Sequence, residues 1–286
     1  MSKGTKLNWG MHRYLSVRCR RTPQKCIEFV VLLPNKVSNS DLFMHLFLSH
    51  YRAATPERQQ ELEAALRQNL KAPFLTRVTV FVEEGAPPLS LDSERVCCVP
   101  SKRMTYQQIF AWINAQTGPN DINILLNSDI GLVSGFEVLQ NELESHTFLA
   151  LSRQELAGVY DAHPAVSQDV WIWRGVCKIE GAHFYMGVRG CDNRLAAEAY
   201  LAGYTLINPC RNLLTHHHHR SSERAQSYNV EYVNPPYLAV SACFWGQESE
   251  LQRMVGGEEW VRQFRQQRAH GAHKALLQDI KARFSL

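Results

Sequence analysis

Residues 121–130, which read DINILLNSDI, most constrain what this chain can fold into, because a short apolar run ends abruptly on a polar, acidic tip. Such a run between turn-forming residues is typical of a buried strand in an α/β sheet. Ligands of such sheets collect at the carboxyl ends of the strands. Asp129 is therefore a candidate ligand for a divalent cation that carries phosphates. The alternative is that Asn127, Ser128 and Asp129 are ordinary turn residues.

Strand patterns alternate with helix patterns along much of the chain, which predicts the α/β class, with a mostly parallel sheet flanked by helices. The predicted strands are residues 27–33, 74–82, 95–99, the run that ends at Asp129, 148–152, 166–174 and 204–207. The predicted helices are a helix-like segment at 41–51, then 57–69 behind the start signal Thr55-Pro56, 105–116, and 192–202. The charges of helix 57–69 are assigned to a solvated face.

The chain has 286 residues and 45% hydrophobic content, which suits one large domain with appendages. We expect a basic amino-terminal segment at 1–26 and a main domain at 27–245. Residues 246–286 are rich in Gln, Arg, Glu and Ala at helical spacing. They are expected to form a helical extension that covers the core or binds a partner.

The net charge of +4 favours anionic partners only weakly. A local basic patch near the start is a candidate for contact with phosphate, nucleic acid or an anionic membrane surface. Its members are Arg13, Arg18, Arg20, Arg21 and Lys25. The alternative is that these residues are ordinary solvated charges.

The eight cysteines are scattered and form no CxxC pair, and the amino terminus lacks the apolar region of a secretory signal. We therefore expect a reduced, cytoplasmic protein. No stretch approaches the roughly 18 apolar residues that are needed to span a bilayer. Any membrane contact is expected to be peripheral.

Asp192 directly precedes an amphipathic stretch, so it is predicted to lie near a helix amino terminus. The helix dipole favours an ionised carboxylate there, which suits either a helix cap or a general base. In the segment 167–173, Gln168 and Asp169 come before an aromatic strand. Burial in the core explains the tryptophans of that strand. Gln168 and Asp169 are candidates for residues that bind sugar hydroxyls or that surround a metal ion.

Four consecutive histidines occupy positions 216–219. In an extended segment, residues of the same parity share a face, so either His217 with His219 or His216 with His218 would enter a site. An imidazole beside a carboxylate suits Mn²⁺ or a similar metal. Exposure at the surface is the alternative explanation.

Taken together, these segments resemble the nucleotide-sugar-dependent glycosyltransferases of the GT-A fold, similar to family 2, over residues 27–228. The resemblance depends on the order and spacing of seven short segments. They are Glu57–Leu62 with Asn69, Thr105-Tyr106, Asn127–Ile130, Leu151–Arg153, Ser167–Trp171, Gly190–Arg194, and the histidine run followed by Ser221 and Arg224.

The resemblance implies a Rossmann-like GT-A domain in which Asp129 is similar to the last acidic residue of a DxD-type motif. That residue holds Mn²⁺ or Mg²⁺ on the diphosphate of the nucleotide-sugar donor. The first Asp of the motif is replaced here by Asn127, so the metal needs a further ligand from the histidine run, and we take His217 and His219. Asp192 resembles the catalytic base, although the usual preceding glutamate is Cys191.

The resemblance and the residue types together also suggest groups that bind the two substrates. The expected donor-binding residues are Pro34, Asn35, Arg103, Asn127, Ser128 and Arg153. The expected acceptor-side residues are Gln168, Asp169, Trp171, Asn193 and Arg194.

The implied activity is a metal-dependent, inverting transfer of a hexosyl or pentosyl group to an acceptor hydroxyl. The metal would neutralise the departing diphosphate, and a carboxylate would remove the hydroxyl proton. A glycan, a lipid-linked sugar or a hydroxylated base in modified nucleic acid remain open as acceptors. The competing hypotheses are a metal-dependent phosphodiesterase or nuclease that uses Asp129, Asp169 and Asp192, a noncatalytic nucleotide-sugar-binding protein, and a purely structural protein.

Overall fold

The computed structural model describes residues 43–89, 91, 93–156, 159–160, 163–220 and 232–255. Its helices are α1 (Pro56–Asn69), α2 (Tyr106–Gln116), α3 (Leu139–Glu142) and α4 (Cys191–Leu201). Its strands are β1 (Met44–His50), β2 (Arg77–Glu83), β3 (Val96–Ser101), β4 (Ile122–Leu126), β5 (Ile130–Ser134), β6 (Thr147–Ser152), β7 (Gln154–Leu156), β8 (Val159–Tyr160), β9 (Gln168–Arg174), β10 (Thr205–Ile207), β11 (Leu214–His217), β12 (Tyr237–Val240) and β13 (Leu251–Val255).

A seven-stranded sheet in the order β10-β6-β9-β4-β1-β2-β3 forms the centre of the fold. β1 pairs in parallel with β2 and β4, β2 with β3, and β6 with β10. β9 is reversed, because it pairs antiparallel with both β4 and β6. The predicted α/β class with a mostly parallel sheet is therefore confirmed, and the arrangement is Rossmann-like.

Helices cover both faces of this sheet, as the strand and helix alternation predicts. Phe110 of α2 and Leu195 of α4 pack with Trp173 on one face. Leu66 of α1 and Leu139 of α3 belong to the core on the other face. Since the central strands are covered on both sides, nearly all their residues must be apolar.

The predicted helix-like segment at 41–51 is wrong where the structure describes it, because Met44–His50 is the strand β1 at the middle of the sheet. Leu46 faces one core layer while Phe47 faces the other. Apolar residues are needed at successive positions of such a strand, and a short run of Leu and Met is equally compatible with a buried helix.

Local capping chemistry fixes the helix starts. The Thr55 side chain accepts a hydrogen bond from the Arg58 amide, and Pro56 occupies the first turn of α1. Thr105 and Gln108 form a reciprocal capping box at α2. The predicted helices at 57–69 and 105–116 are thus confirmed, the first with its predicted start signal Thr55-Pro56.

The other predicted elements that the structure describes are confirmed with small shifts at their ends: β2, β3, β4, β6, β9, α4 and β10. The predicted strand 27–33, Pro34 and Asn35 lie outside the described residues. Within the range 246–286, Leu251–Val255 is a strand that pairs with β12, and residues 256–286 lie outside the described residues. Among the helices of the described residues, none has the length and apolar character that a bilayer span requires.

Asn69 links α1 to the strand that follows Asp129. Its buried side-chain amide donates to the Ile130 carbonyl at 2.8 Å and accepts from the Leu132 amide at 2.7 Å. We predict that Asn69→Ala lowers the free energy of unfolding by about 2–3 kcal/mol, because two buried backbone groups lose their partner. Urea denaturation measures this loss. Gln60→Ala, at an exposed position of the same helix, is the control and should change stability little; equal effects of the two substitutions would contradict the prediction.

Candidate functional site

The carboxyl ends of β4 and β6 meet the amino end of β9 at one edge of the sheet. Leu126 pairs with Val170, and Ser152 pairs with Gln168. Because β9 is reversed, its first residues lie at the same edge as the segments that follow β4 and β6. Asp129, Arg153 and Asp169 are brought together in this way.

The histidine run reaches this edge through the short pairing of β11 with β5. His217 lies opposite Ile130, and the His218 amide donates to the Asp129 carbonyl at 2.7 Å. His217 and His219 then face the Asp129 side chain, whereas His218 Nε2 contacts Gln68 Oε1 at 2.8 Å. Of the two parities that the sequence left open, the structure turns His217 and His219 toward the carboxylate.

Asp129, His217 and His219 offer three ligand atoms that lie within 4.8 Å of one another. Asp129 Oδ2 is 3.2 Å from His217 Nε2 and 3.8 Å from His219 Nδ1, and the side chains are 13%, 10% and 18% exposed, respectively. Two imidazole nitrogens and one carboxylate oxygen suit a first-row transition ion such as Mn²⁺, whereas Mg²⁺ prefers oxygen ligands. The donor set therefore fits Mn²⁺ better than Mg²⁺.

The charges around Asp129 keep it ionised. Burial would raise the pKa of this carboxyl, but the hydrogen bond and charge of His217 and the guanidinium of Arg58 lower it below its usual range. Burial would likewise lower the pKa of His217, but Asp129 outweighs burial and raises it. Burial, together with the charge of Arg58, lowers the pKa of His219. The Asp129 carboxylate and the His219 imidazole thus have the protonation states of metal ligands.

Arg58 is a site residue that the sequence analysis assigned to a solvated helix face. Its guanidinium is 13% exposed and pairs with Asp129 Oδ2 through one nitrogen. The other nitrogen donates to Glu61 Oε2 at 2.8 Å and to the His218 carbonyl at 3.0 Å. The helical period contains a signal for this placement, because Arg58 precedes the buried residues Leu62 and Asn69 by four and eleven positions.

Glu155 is a second site residue that no sequence pattern indicates. Its Oε2 lies 3.0 Å from His217 Nδ1, so the ring is held with Nε2 toward Asp129. Arg153 donates to Glu155 Oε1 and to Asp169 Oδ2, both at 3.0 Å. Asp169 in turn accepts from the Asn127 side chain. Arg153, Asn127 and Asp169 therefore support the histidine and the β4 turn within one hydrogen-bonded network.

Asp192 lies in the first turn of α4, where Gly190 is the capping residue. Cys191 Sγ donates to Asp192 Oδ1 at 3.2 Å. Burial, aided by the negative charges of Asp169 and Asp129, raises the pKa of Asp192 to about 8. The helix dipole, which was expected to favour the ionised form, is outweighed. A carboxyl group with such a pKa gains and loses its proton close to neutral pH, which is the range in which a general acid or base works.

Three of the residues predicted to bind the substrates have partners within the protein. The Ser128 hydroxyl donates to the Ser49 carbonyl at 2.6 Å, which fixes the turn after β4. Gln168 donates to the Ala165 carbonyl at 2.7 Å and is buried. Trp171, a predicted acceptor-side residue, is fully buried in the aromatic core.

Three further predicted residues lie around α4 and the loop after β3. Asn193 is buried and donates to the Gln168 side chain and the Leu238 carbonyl, both at 3.3 Å. Arg194 pairs with Glu198 and donates to two backbone carbonyls in the segment before β12. Arg103 is exposed and stacks on Tyr185, with 4.8 Å between its guanidinium carbon and the ring centroid.

No family model matches this chain. No curated protein matches it either. One solved structure that it resembles is the 2-C-methyl-D-erythritol 4-phosphate cytidylyltransferase of Francisella tularensis, with 9% sequence identity and a TM-score of 0.32. The match covers 46% of this chain and 72% of that chain. A likeness at this level carries no argument about function, and the fold assignment rests on the sheet order described above.

We predict that His217→Ala weakens Mn²⁺ binding at least tenfold, because it removes one of three ligand atoms and the group that Glu155 orients. Isothermal titration with Mn²⁺ and no nucleotide measures this change. His216→Ala is the matched control, since the His216 ring packs against the His218 ring, with 4.1 Å between the centroids, and has no ion pair with Asp129 among the described contacts. Equal Mn²⁺ affinities for the two variants would contradict the assignment of His217.

Asp192 makes stability depend on pH with a definite sign. The folded protein holds a proton on Asp192 up to about pH 8, whereas the unfolded chain releases it near pH 4. The contribution of this group to stability is therefore favourable at low pH and is lost as pH rises toward 8. We predict that Asp192→Asn raises the melting temperature relative to the parent protein at pH 9 more than at pH 5. A difference that is the same at both pH values would contradict the raised pKa.

Proposed function

We propose that this protein transfers a sugar from a nucleoside-diphosphate sugar to an acceptor hydroxyl, with a divalent ion held by Asp129, His217 and His219. The observation that carries the proposal is a pair of carboxyl groups of opposite character: Asp129 lies at the sheet edge, and Asp192, in the first turn of α4, is under the influence of the negative charges of Asp169 and Asp129. Asp129 is held ionised beside two imidazoles, and Asp192 has its pKa raised to about 8. Environments that separate two carboxyl pKa values in this way assign different chemical roles to the two groups.

The Asp129 group is suited to the donor. A bound ion there would neutralise the negative charge that develops on the departing diphosphate. The residues of this chain supply the ligand atoms, while Glu155 fixes the His217 ring and Arg153 holds Glu155. The carboxyl edge of a mostly parallel sheet is the usual place for such a ligand.

Asp192 is suited to the acceptor. In its deprotonated form it takes the proton of the acceptor hydroxyl while that oxygen attacks the anomeric carbon. The Cys191 thiol, which donates to Asp192 Oδ1, orients the carboxylate. A base distinct from the groups that hold the diphosphate supports direct displacement, and thus an inverting outcome.

The arrangement supports sugar transfer better than a two-metal phosphodiesterase. That alternative would use Asp169 and Asp192 as ligands of further ions. Asp169 instead accepts hydrogen bonds from Arg153 and Asn127. Within the described part of the chain, one group of three metal-ligand atoms occurs, and it contains neither of these two carboxylates.

The test is a panel of nucleotide sugars with Mn²⁺, Mg²⁺ or EDTA, scored by thermal shift and by release of nucleoside diphosphate. We predict stabilisation by one donor that depends on Mn²⁺ and is lost in Asp129→Ala. Asp192→Asn should retain donor binding but lose transfer by about 100-fold or more, since it removes a general base. His216→Ala is the control for both readouts. Donor turnover that persists in EDTA, or full transfer by Asp192→Asn, would contradict the proposal.

A further inference from the structure

We propose that Arg58 occupies the ion's place on Asp129 until a metal binds, and that the displaced guanidinium then binds the donor diphosphate. This inference rests on the proposed function, because it concerns the same metal and donor. It assigns Arg58 a role in substrate binding that makes metal and diphosphate binding depend on each other.

The first step is direct competition for one oxygen atom. Asp129 Oδ2 is the atom that contacts the Arg58 guanidinium, and it is also the atom nearest to His217 Nε2 and His219 Nδ1. An ion held by the two imidazoles and this oxygen would therefore compete with the Arg58 nitrogen for the same atom. A guanidinium remains charged at all accessible pH values, so deprotonation cannot remove it from the site.

The second step concerns what holds Arg58 after it leaves Asp129. Its other terminal nitrogen donates to Glu61 Oε2 at 2.8 Å and to the His218 carbonyl at 3.0 Å. These two contacts do not involve Asp129, so they can keep the guanidinium at the edge of the site. The nitrogen that paired with Asp129 is then available beside the ion.

The third step is electrostatic. A divalent ion and a guanidinium that share a largely buried site repel each other, which weakens the binding of metal alone. A diphosphate that bridges them removes this repulsion, because its oxygens bind both the ion and the planar guanidinium fork. Metal and diphosphate are thus expected to bind with positive linkage, and Arg58 is the origin of part of the coupling.

The experiment measures Mn²⁺ affinity by titration calorimetry, first with Mn²⁺ alone and then with inorganic pyrophosphate present. The association of Mn²⁺ with pyrophosphate in buffer is measured separately and subtracted. Arg58→Met removes the charge, and Arg58→Gln provides a second neutral variant if the first does not fold. Arg67→Met is the matched control, because Arg67 lies on the same helix, is 63% exposed and pairs with Glu63.

We expect Arg58→Met to bind Mn²⁺ alone about tenfold more tightly than the parent protein, which corresponds to loss of a coupling of ordinary size. In the parent protein, pyrophosphate should raise Mn²⁺ affinity, and this gain should shrink in Arg58→Met. Arg67→Met should match the parent protein in both measurements.

If the parent protein binds Mn²⁺ and a folded Arg58→Met variant binds it equally or more weakly, the inference about Arg58 is overturned while the metal site stands. A gain from pyrophosphate that is unchanged in Arg58→Met would also overturn it. If the parent protein shows no Mn²⁺ binding that His217→Ala reduces, the metal site fails, and the proposed function and the inference fail with it.

Discussion

A largely buried carboxylate must be compensated by nearby positive charge, and the arrangement around Asp129 meets this requirement. Arg58 reaches Asp129 from α1, and His217 reaches it from β11. Glu61 and Glu155 in turn pair with these two groups. The packing of α1 and the pairing of β11 with β5 therefore converge on one carboxyl group. In the proposed function, a divalent ion would take over part of this positive charge.

The reversed strand β9 brings Asp169 to the edge of the sheet that carries Asp129. Asp169 also joins the residues of this edge through hydrogen bonds. Because β9 begins where β4 and β6 end, Asp169 lies within reach of both Asn127 and Arg153. The negative charge of Asp169 then adds to burial in raising the pKa of Asp192. The reversed strand thus brings Asp169 to the proposed metal end of the site, and the charge of Asp169 helps to raise the pKa of Asp192, the group that we assign as the base.

The sequence predicts those parts of the structure that depend on local chemistry. Thr55-Pro56 marks the start of α1, the apolar run before Asn127 marks β4, and alternation restricts the histidines to two pairs. The choice of His217 with His219 depends on pairing between β11 and β5, which no local pattern specifies. Glu155 is not predictable from the local sequence, because its partner His217 lies 62 residues further along the chain.

Two misassignments arise where tertiary contacts, rather than the local sequence pattern, decide the structure. β1 was predicted as helix-like because burial on both faces removes the alternation that identifies a strand. Arg58 was assigned to solvent because a charged residue on a buried helix face is explained only by a distant carboxylate.

The central claim is that Asp129, His217 and His219 hold one divalent ion. Crystals soaked in Mn²⁺, with anomalous data collected at the manganese edge, test it most directly. We predict a single strong peak among these three side chains, and a protein that binds Mn²⁺ with its peak elsewhere would contradict this assignment.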